Sequence, residues 1–155
     1  MESGYMTKTL KALFPTNPGD WHGMDGEWIW VDASRNGNFK ILNIPLYAYG
    51  VSYLDEVALI EENEILKFDF VSKSSGNHTY RILLRRGIER VEFENRWPAF
   101  AIHGCEYESS KDTEDVFGIN VPPEADVNAV YALLEDGQND EIWYFDEGNF
   151  SQMAS

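Results

Sequence analysis

Cysteine is almost missing from this 155-residue chain. Cys105 stands alone, which excludes an internal disulfide and suits a reducing compartment. Long apolar runs are missing too: no stretch approaches the ~20 residues needed to span a bilayer. Residues 1–11 lack the basic start and apolar run of a secretory signal, so a cytoplasmic location is expected. Bases are scarce. Twelve Lys and Arg face 27 Asp and Glu, a formal net charge of −15. A field of that sign repels phosphate backbones and anionic lipid, which disfavours direct binding of nucleic acid or membrane. It attracts a basic protein and speeds the encounter, although acidity also serves solubility alone.

Reactive motifs are equally thin. Neither a P-loop nor the Rossmann glycine pattern occurs. His22, His78 and His103 are isolated, so no metal-ligand spacing and no cofactor are expected. His103 and Cys105 lie two residues apart, but the neighbouring Glu106 and Glu108 would raise a thiol pKa, and a structural cysteine is the better reading. Acids are too abundant for any one pair to signal glycosidase-type chemistry. A non-enzymatic protein is expected.

Aromatics are plentiful. Five Trp, eight Tyr and nine Phe supply the large side chains of a core. Residues 1–26 read as a short strand or helix and an irregular Pro/Gly-rich lead-in. Trp28, Ile29, Trp30 and Val31 suit a pleated surface; Asn36-Gly37 then signals a hairpin returning through residues 39–42. Pro45 stops that strand and opens an ordered crossover loop through residue 54. Residues 56–60 and 65–71 read as a strand pair. In the latter, Leu66, Phe68 and Phe70 alternate with Lys67 and Asp69 as on a half-buried strand. From Thr79 onward the order is strand, helix (91–103, with Pro98 as a first-turn proline or a kink), strand (106–110), strand (116–121), helix, strand (142–145). The second helix opens at Pro122-Pro123-Glu124-Ala125-Asp126, repeats Val127, Val130, Tyr131 and Leu134, and is expected to end at Gly137. The tail after Phe150 reads as loose. The expected fold is α+β: one compact domain over residues 1–155. A small bent antiparallel sheet or barrel (27–78) is fused to a ferredoxin-like βαββαβ unit (79–147).

Several of these segments resemble a known family. Glu27-Trp28-Ile29-Trp30, residues 38–52 with Asn43-Ile44-Pro45, and Asp55-Glu56-Val57 are similar to the bacterial family called domain of unknown function 4265. Ser75-Gly76-Asn77-His78-Thr79-Tyr80-Arg81 resembles its Ser-Gly-His-Ser-Thr-x-Arg signature, with Asn77 standing where the family has His. The resemblance runs from about residue 27 to residue 147 and implies a short bacterial protein with no settled activity. Small acidic proteins of this kind are suspected to be immunity proteins, cytoplasmic antidotes to a toxin.

Asn43, Pro45, Gly50, Gly76, Thr79 and Arg81 read as backbone-shaping residues, with Arg81 able to pin a carboxylate or carbonyl bidentately. The candidate partner-binding residues are Tyr47, Tyr49 and Tyr53 in the crossover loop, with the acids Asp55, Asp112, Glu114, Asp115, Asp140, Glu141, Asp146 and Glu147 near likely edges. Acids around aromatics suit the capping of a basic cleft. The expected function is therefore an immunity protein that occludes a basic, nuclease-type toxin. The alternative is a small-molecule- or peptide-binding adaptor with a pocket near residues 47–53.

Overall fold

The computed structural model describes residues 9–34 and 36–151. Residues 1–8 of the N-terminal segment, Arg35 of the expected hairpin turn and the tail beyond residue 151, expected to be loose, lie outside them. The fold is α+β, mostly strands, with a closed five-stranded barrel, a second four-stranded sheet and two helices.

The barrel comprises β1 (Thr9–Pro15), β2 (Gly26–Ala33), β3 (Phe39–Ile41), β4 (Glu56–Glu62) and β5 (Ile65–Lys73). Alternation fills it: Ala12 and Phe14 of β1, Ile29 and Val31 of β2, Ile41 and Val57 point inward. The β4–β5 hairpin turns at Asn63 and Glu64, both with positive φ, the geometry of a two-residue turn. Closure comes from β1, which pairs with β2 along its whole length and meets β5 in parallel at Leu13 and Lys67. One expectation fails on β5. A bulge leaves Asp69 unpaired between Phe68 and Phe70. The pleat therefore reverses, so Phe70 is 54% exposed and Val71 packs inward instead.

The second sheet has the order β7-β8-β6-β9, where β6 is His78–Leu84, β7 Glu106–Ser109, β8 Val116–Val121 and β9 Trp143–Asn149; all pairings are antiparallel. Helices α1 (Arg90–Ala101) and α2 (Val127–Asn139) follow β6 and β8 in the chain. Phe93, Phe100, Val130 and Leu134 from the helices share a core with Tyr80, Ile82, Phe117, Ile119, Val121 and Trp143 from the strands. Phe93 and Phe117 stack at 3.8 Å between centroids.

Of the two placements expected for Pro98, the first turn is excluded, since it sits in the third turn of α1. Gly137 does not end α2 but lies inside it, because the indole of Trp143 occupies the space a Cβ would need. Asp126 caps α2 by accepting from Ala129 N–H. Gly104, with φ 83°, follows α1 as expected.

Candidate binding seam

The face of the second sheet turned away from the helices carries the crossover loop, and side chains of the barrel and the sheet hold many of that loop's backbone groups. Glu27, at the start of β2, accepts three consecutive loop N–H groups: Leu46 at 2.8 Å, Tyr47 at 2.9 Å and Ala48 at 2.9 Å. Asn43 Oδ1 accepts Trp30 N–H at 2.8 Å, and Glu108 of β7 accepts Ile44 N–H at 2.9 Å. From beneath, Arg81 donates through Nε to Pro45 O and through Nη2 to Ala48 O. It pins two carbonyls rather than a carboxylate. Gly118 on β8 lets the loop approach: a Cβ there would meet Leu46 at 2.8 Å and Ile44 at 3.1 Å.

A second latch fixes the loop's exit. Asp55 is buried and accepts Ser52 N–H at 2.9 Å and Ser75 N–H at 2.8 Å. Burial raises its pKa, and those N–H donors act against the rise. Thr79 Oγ1 meets Ser52 Oγ at 2.7 Å, and Asn77 Nδ2 donates to Tyr53 O at 2.9 Å. Gly50 and Gly76, with φ of 79° and 87°, supply the left-handed turns. The motif residues are thus the joints between barrel and sheet.

Above these joints runs an exposed aromatic seam. Trp21 donates through Nε1 to Asp146 at 3.0 Å and to Tyr49 OH at 3.1 Å, and Tyr49 OH also bonds Asp146. Burial and the Asp146 hydrogen bond raise the Tyr49 pKa, so the phenol remains a donor to that carboxylate. Trp21 sits 6.0 Å from Tyr47 between ring centroids. On one side the seam opens into a cavity of about 380 Å³ lined by Trp21, Arg81, Leu83, Tyr144, Phe145 and Asp146. On the other it enters a groove of similar volume walled by Met24, Trp28, Trp30 and Tyr47, with Asp112 at its rim. Trp21, Met24, Trp28, Trp30, Tyr49 and Tyr144 are all exposed large side chains. Trp28 and Trp30 face outward because Ile29 and Val31, between them, fill the barrel.

The structure gathers four of the sequence-predicted partner residues here: Tyr47, Tyr49, Asp112 and Asp146. It separates the others. Asp55 is buried and has no face to offer a partner, a correction to its reading as a surface acid. Tyr53 is half-buried, its carbonyl engaged by Ser75 and Asn77. Glu114 and Asp115 line a different depression beside Gly87 and Val91. Asp140 pairs with Arg96 at 2.8 Å and Glu141 with Arg85 at 3.8 Å, while Glu147 is exposed on β9. Sequence reading missed Trp21, Met24, Trp28 and Trp30 as surface residues. For Trp28 and Trp30 the signal was present: aromatics alternating with β-branched residues put one set outside.

Cys105 is buried, which pushes its thiol pKa up to about 12. It should therefore resist a thiol reagent such as DTNB at pH 8 in the folded protein and react fully in denaturant; rapid native labelling would contradict this burial. Among the described residues, no group of three or more His, Cys, Asp or Glu side chains is arranged to hold a metal ion. No helix among them is long and apolar enough to cross a membrane.

His22 accepts Met24 N–H at 2.9 Å and packs 5.1 Å from Tyr47, while His78 accepts Ser151 N–H at 3.0 Å. Burial lowers both pKa values below the ordinary 6.5, against the pull of Asp20 at His22. Below pH 6.5 the unfolded chain therefore takes up protons before the native state does, and stability falls as pH drops towards the depressed folded values. Thermal unfolding should show a lower Tm at pH 5.5 than at pH 7.5, with a shallower decline in the His22→Gln/His78→Gln variant. An identical decline in that variant would assign the effect to other groups.

The family model described as domain of unknown function DUF4265 matches residues 27–145, the span that holds Glu27, the crossover loop and Arg81. The chain belongs to this family. A crystal structure of a hypothetical protein from Neisseria gonorrhoeae superposes with a TM-score of 0.77 at 22% identity. That alignment covers 97% of this chain and 100% of the other, and it establishes the shared fold of this DUF4265 protein. No curated protein matches the chain.

Proposed function

We propose that this DUF4265 protein is a non-catalytic cytoplasmic binding protein, an immunity protein that neutralises a basic, nuclease-type toxin by covering its active cleft. The observation that carries the reading is the seam itself. Trp21, Trp28, Trp30 and Tyr49 are exposed, Tyr47 links Trp21 to the groove that Trp28 and Trp30 line, and Asp146 and Asp112 stand beside them, with Lys11 and Lys111 in the same groove, on a chain of net charge −15. Exposed aromatics are favoured anchors at interfaces, and rings and carboxylates together suit Lys and Arg side chains. The surrounding negative field accelerates encounter with a cationic partner. The fastening of the loop by Glu27 and Arg81 supports the reading further, since a pre-organised surface loses little entropy on docking.

The test is binding to the product of the neighbouring gene, with a salt titration and an assay of that product's nuclease activity. Nanomolar affinity that weakens with salt, and inhibition at equimolar ratio, are expected. A neighbouring product that neither binds nor is inhibited contradicts the proposal.

A second reading, a small-molecule- or peptide-binding adaptor, is favoured by the cavity between Trp21 and Tyr144. We also read residues 79–147 as a ferredoxin-like unit. The strand order β7-β8-β6-β9, with helices after the first and third strands of the unit, supports that assignment.

A further inference from the structure

Asp146, the cross-strand neighbour of Arg81 on β9, uses only half of its carboxylate. Oδ2 takes both seam donors, Trp21 Nε1 at 3.0 Å and Tyr49 OH. Oδ1 has no hydrogen-bond or ion-pair partner among the described residues, and it is not one of the polar atoms that burial shields there. Arg81 has the opposite character. Its Nε and Nη2 hold the carbonyls of Pro45 and Ala48, its shielded Nη1 packs against Gly148, and the Tyr49 ring covers it with a centroid 5.0 Å from Cζ. The free oxygen beside the seam therefore belongs to Asp146, and no donor of Arg81 competes for a ligand there.

Asp146 lines the cavity of about 380 Å³ whose other walls are the side chains of Trp21, Leu83, Tyr144 and Phe145. Trp21 and Tyr144 are exposed, so the mouth is open to a partner. Arg85 lies 4.7 Å from the Tyr144 centroid and is balanced by Glu141 at 3.8 Å. Apolar walls that end on one carboxylate oxygen complement a methylene stem with a cationic tip, the shape of a snorkelling lysine. We propose that this cavity takes a lysine side chain of the basic partner, its stem along Leu83 and Phe145 and its ammonium on Asp146 Oδ1. The hydrogen bonds choose the head group. With Oδ2 already bonded twice, the carboxylate cannot receive the two parallel bonds of a guanidinium fork, whereas an ammonium needs one oxygen. The net charge of −15 favours a cation over an anion at the same apolar walls. This lysine pocket deepens the toxin-binding reading and rests on it for the partner, while small probes test it without a toxin.

The test is titration of the intact protein with pentylammonium, pentanol, pentylguanidinium and the blocked tripeptide acetyl-Gly-Lys-Gly-amide. The readout is the NMR shift of the Trp21 indole N–H. Pentylammonium is expected to bind at least about threefold tighter than pentanol and pentylguanidinium, with the tripeptide within about threefold of it. Asp146→Asn keeps an amide oxygen for Trp21 and Tyr49 while removing the charge, so pentylammonium should fall to the level of pentanol. Glu114→Gln makes the same change in net charge at a different depression and should leave binding unchanged. If Asp146→Asn does not fold, the comparison of amine with alcohol in the wild type decides. No binding of pentylammonium, equal affinity for the alcohol, or preference for the guanidinium overturns the lysine pocket. Binding of the free amine without the tripeptide overturns the docking of a protein side chain. Retained preference for the amine in a folded Asp146→Asn protein places the cation elsewhere and overturns the site. Probe binding beside a neighbouring gene product that does not bind overturns the toxin reading alone.

Discussion

Glu27→Ala should lower the stability of the protein by about 3 kcal/mol, because one side chain accepts three backbone N–H bonds. Each charge-assisted bond is worth ~1.5–3 kcal/mol, and partial exposure of Glu27 reduces the sum. Its removal leaves the N–H groups of Leu46, Tyr47 and Ala48 without an acceptor beneath a loop pressed onto Gly118. Glu27→Gln is the informative partner. Its single oxygen can serve Tyr47 and Ala48, as Oε1 does now, while its amide turns a donor towards Leu46 N–H. Urea unfolding should therefore order the three proteins wild type, Gln, Ala, with a Tm loss of roughly 10 °C for Ala in a chain of this length. Equal stability of Ala and wild type would mean the loop is held by Arg81 and Asn43 alone. The same substitution should loosen Tyr47 and Tyr49, so Ala is also expected to weaken partner binding.

The second large effect is in the helical core. Gly137→Ala places a methyl group inside the Trp143 indole, whose Nε1 donates to Leu134 O at 2.9 Å. Helix propensity alone would favour Ala by ~1 kcal/mol. Overpacking against a fully buried indole opposes that gain, because either α2 lifts from β9 or the indole turns and abandons its hydrogen bond. The net expectation is a loss of about 2 kcal/mol, with a changed near-UV circular dichroism from Trp143. The double variant Gly137→Ala/Trp143→Phe should recover part of the loss relative to Trp143→Phe alone. A stabilised Gly137→Ala protein would show that the helix yields at no cost.

Legibility in the sequence followed the range of the forces involved. Alternation and turn chemistry are local, so the hairpin at Asn36-Gly37, the turn between residues 60 and 65 and the strand through Arg81 could be read directly. Barrel closure by β1 could not be. Leu13 meets Lys67 across more than fifty residues, and nothing near Leu13 announces its partner. The Phe70 error has the same origin, since a bulge depends on the facing strand and not on the alternating pattern. Gly137 resembled a helix stop because its reason for being Gly lies six residues on, in Trp143.

The candidate site divides similarly. The motif residues were legible as backbone-shaping, and their hydrogen bonds are of that kind. The tyrosine loop drew attention for its composition, yet the exposed rings beside it came from Trp21 in the irregular lead-in and from Trp28 and Trp30 on a strand read only as a pleated surface. Acids spread along the chain were read as flanking the edges of the fold. Asp140 and Glu141 instead pair with Arg96 and Arg85, and Asp55 is interior.

That the aromatic strip is where a cationic partner docks is tested most directly by the affinity of Trp21→Ala/Trp28→Ala for that partner, measured beside Glu114→Ala/Asp115→Ala. Loss of about 100-fold or more in the tryptophan variant is expected, with its thermal transition nearly intact and the acid variant changed by less than about tenfold. Full affinity in a folded protein lacking both tryptophans would contradict the account.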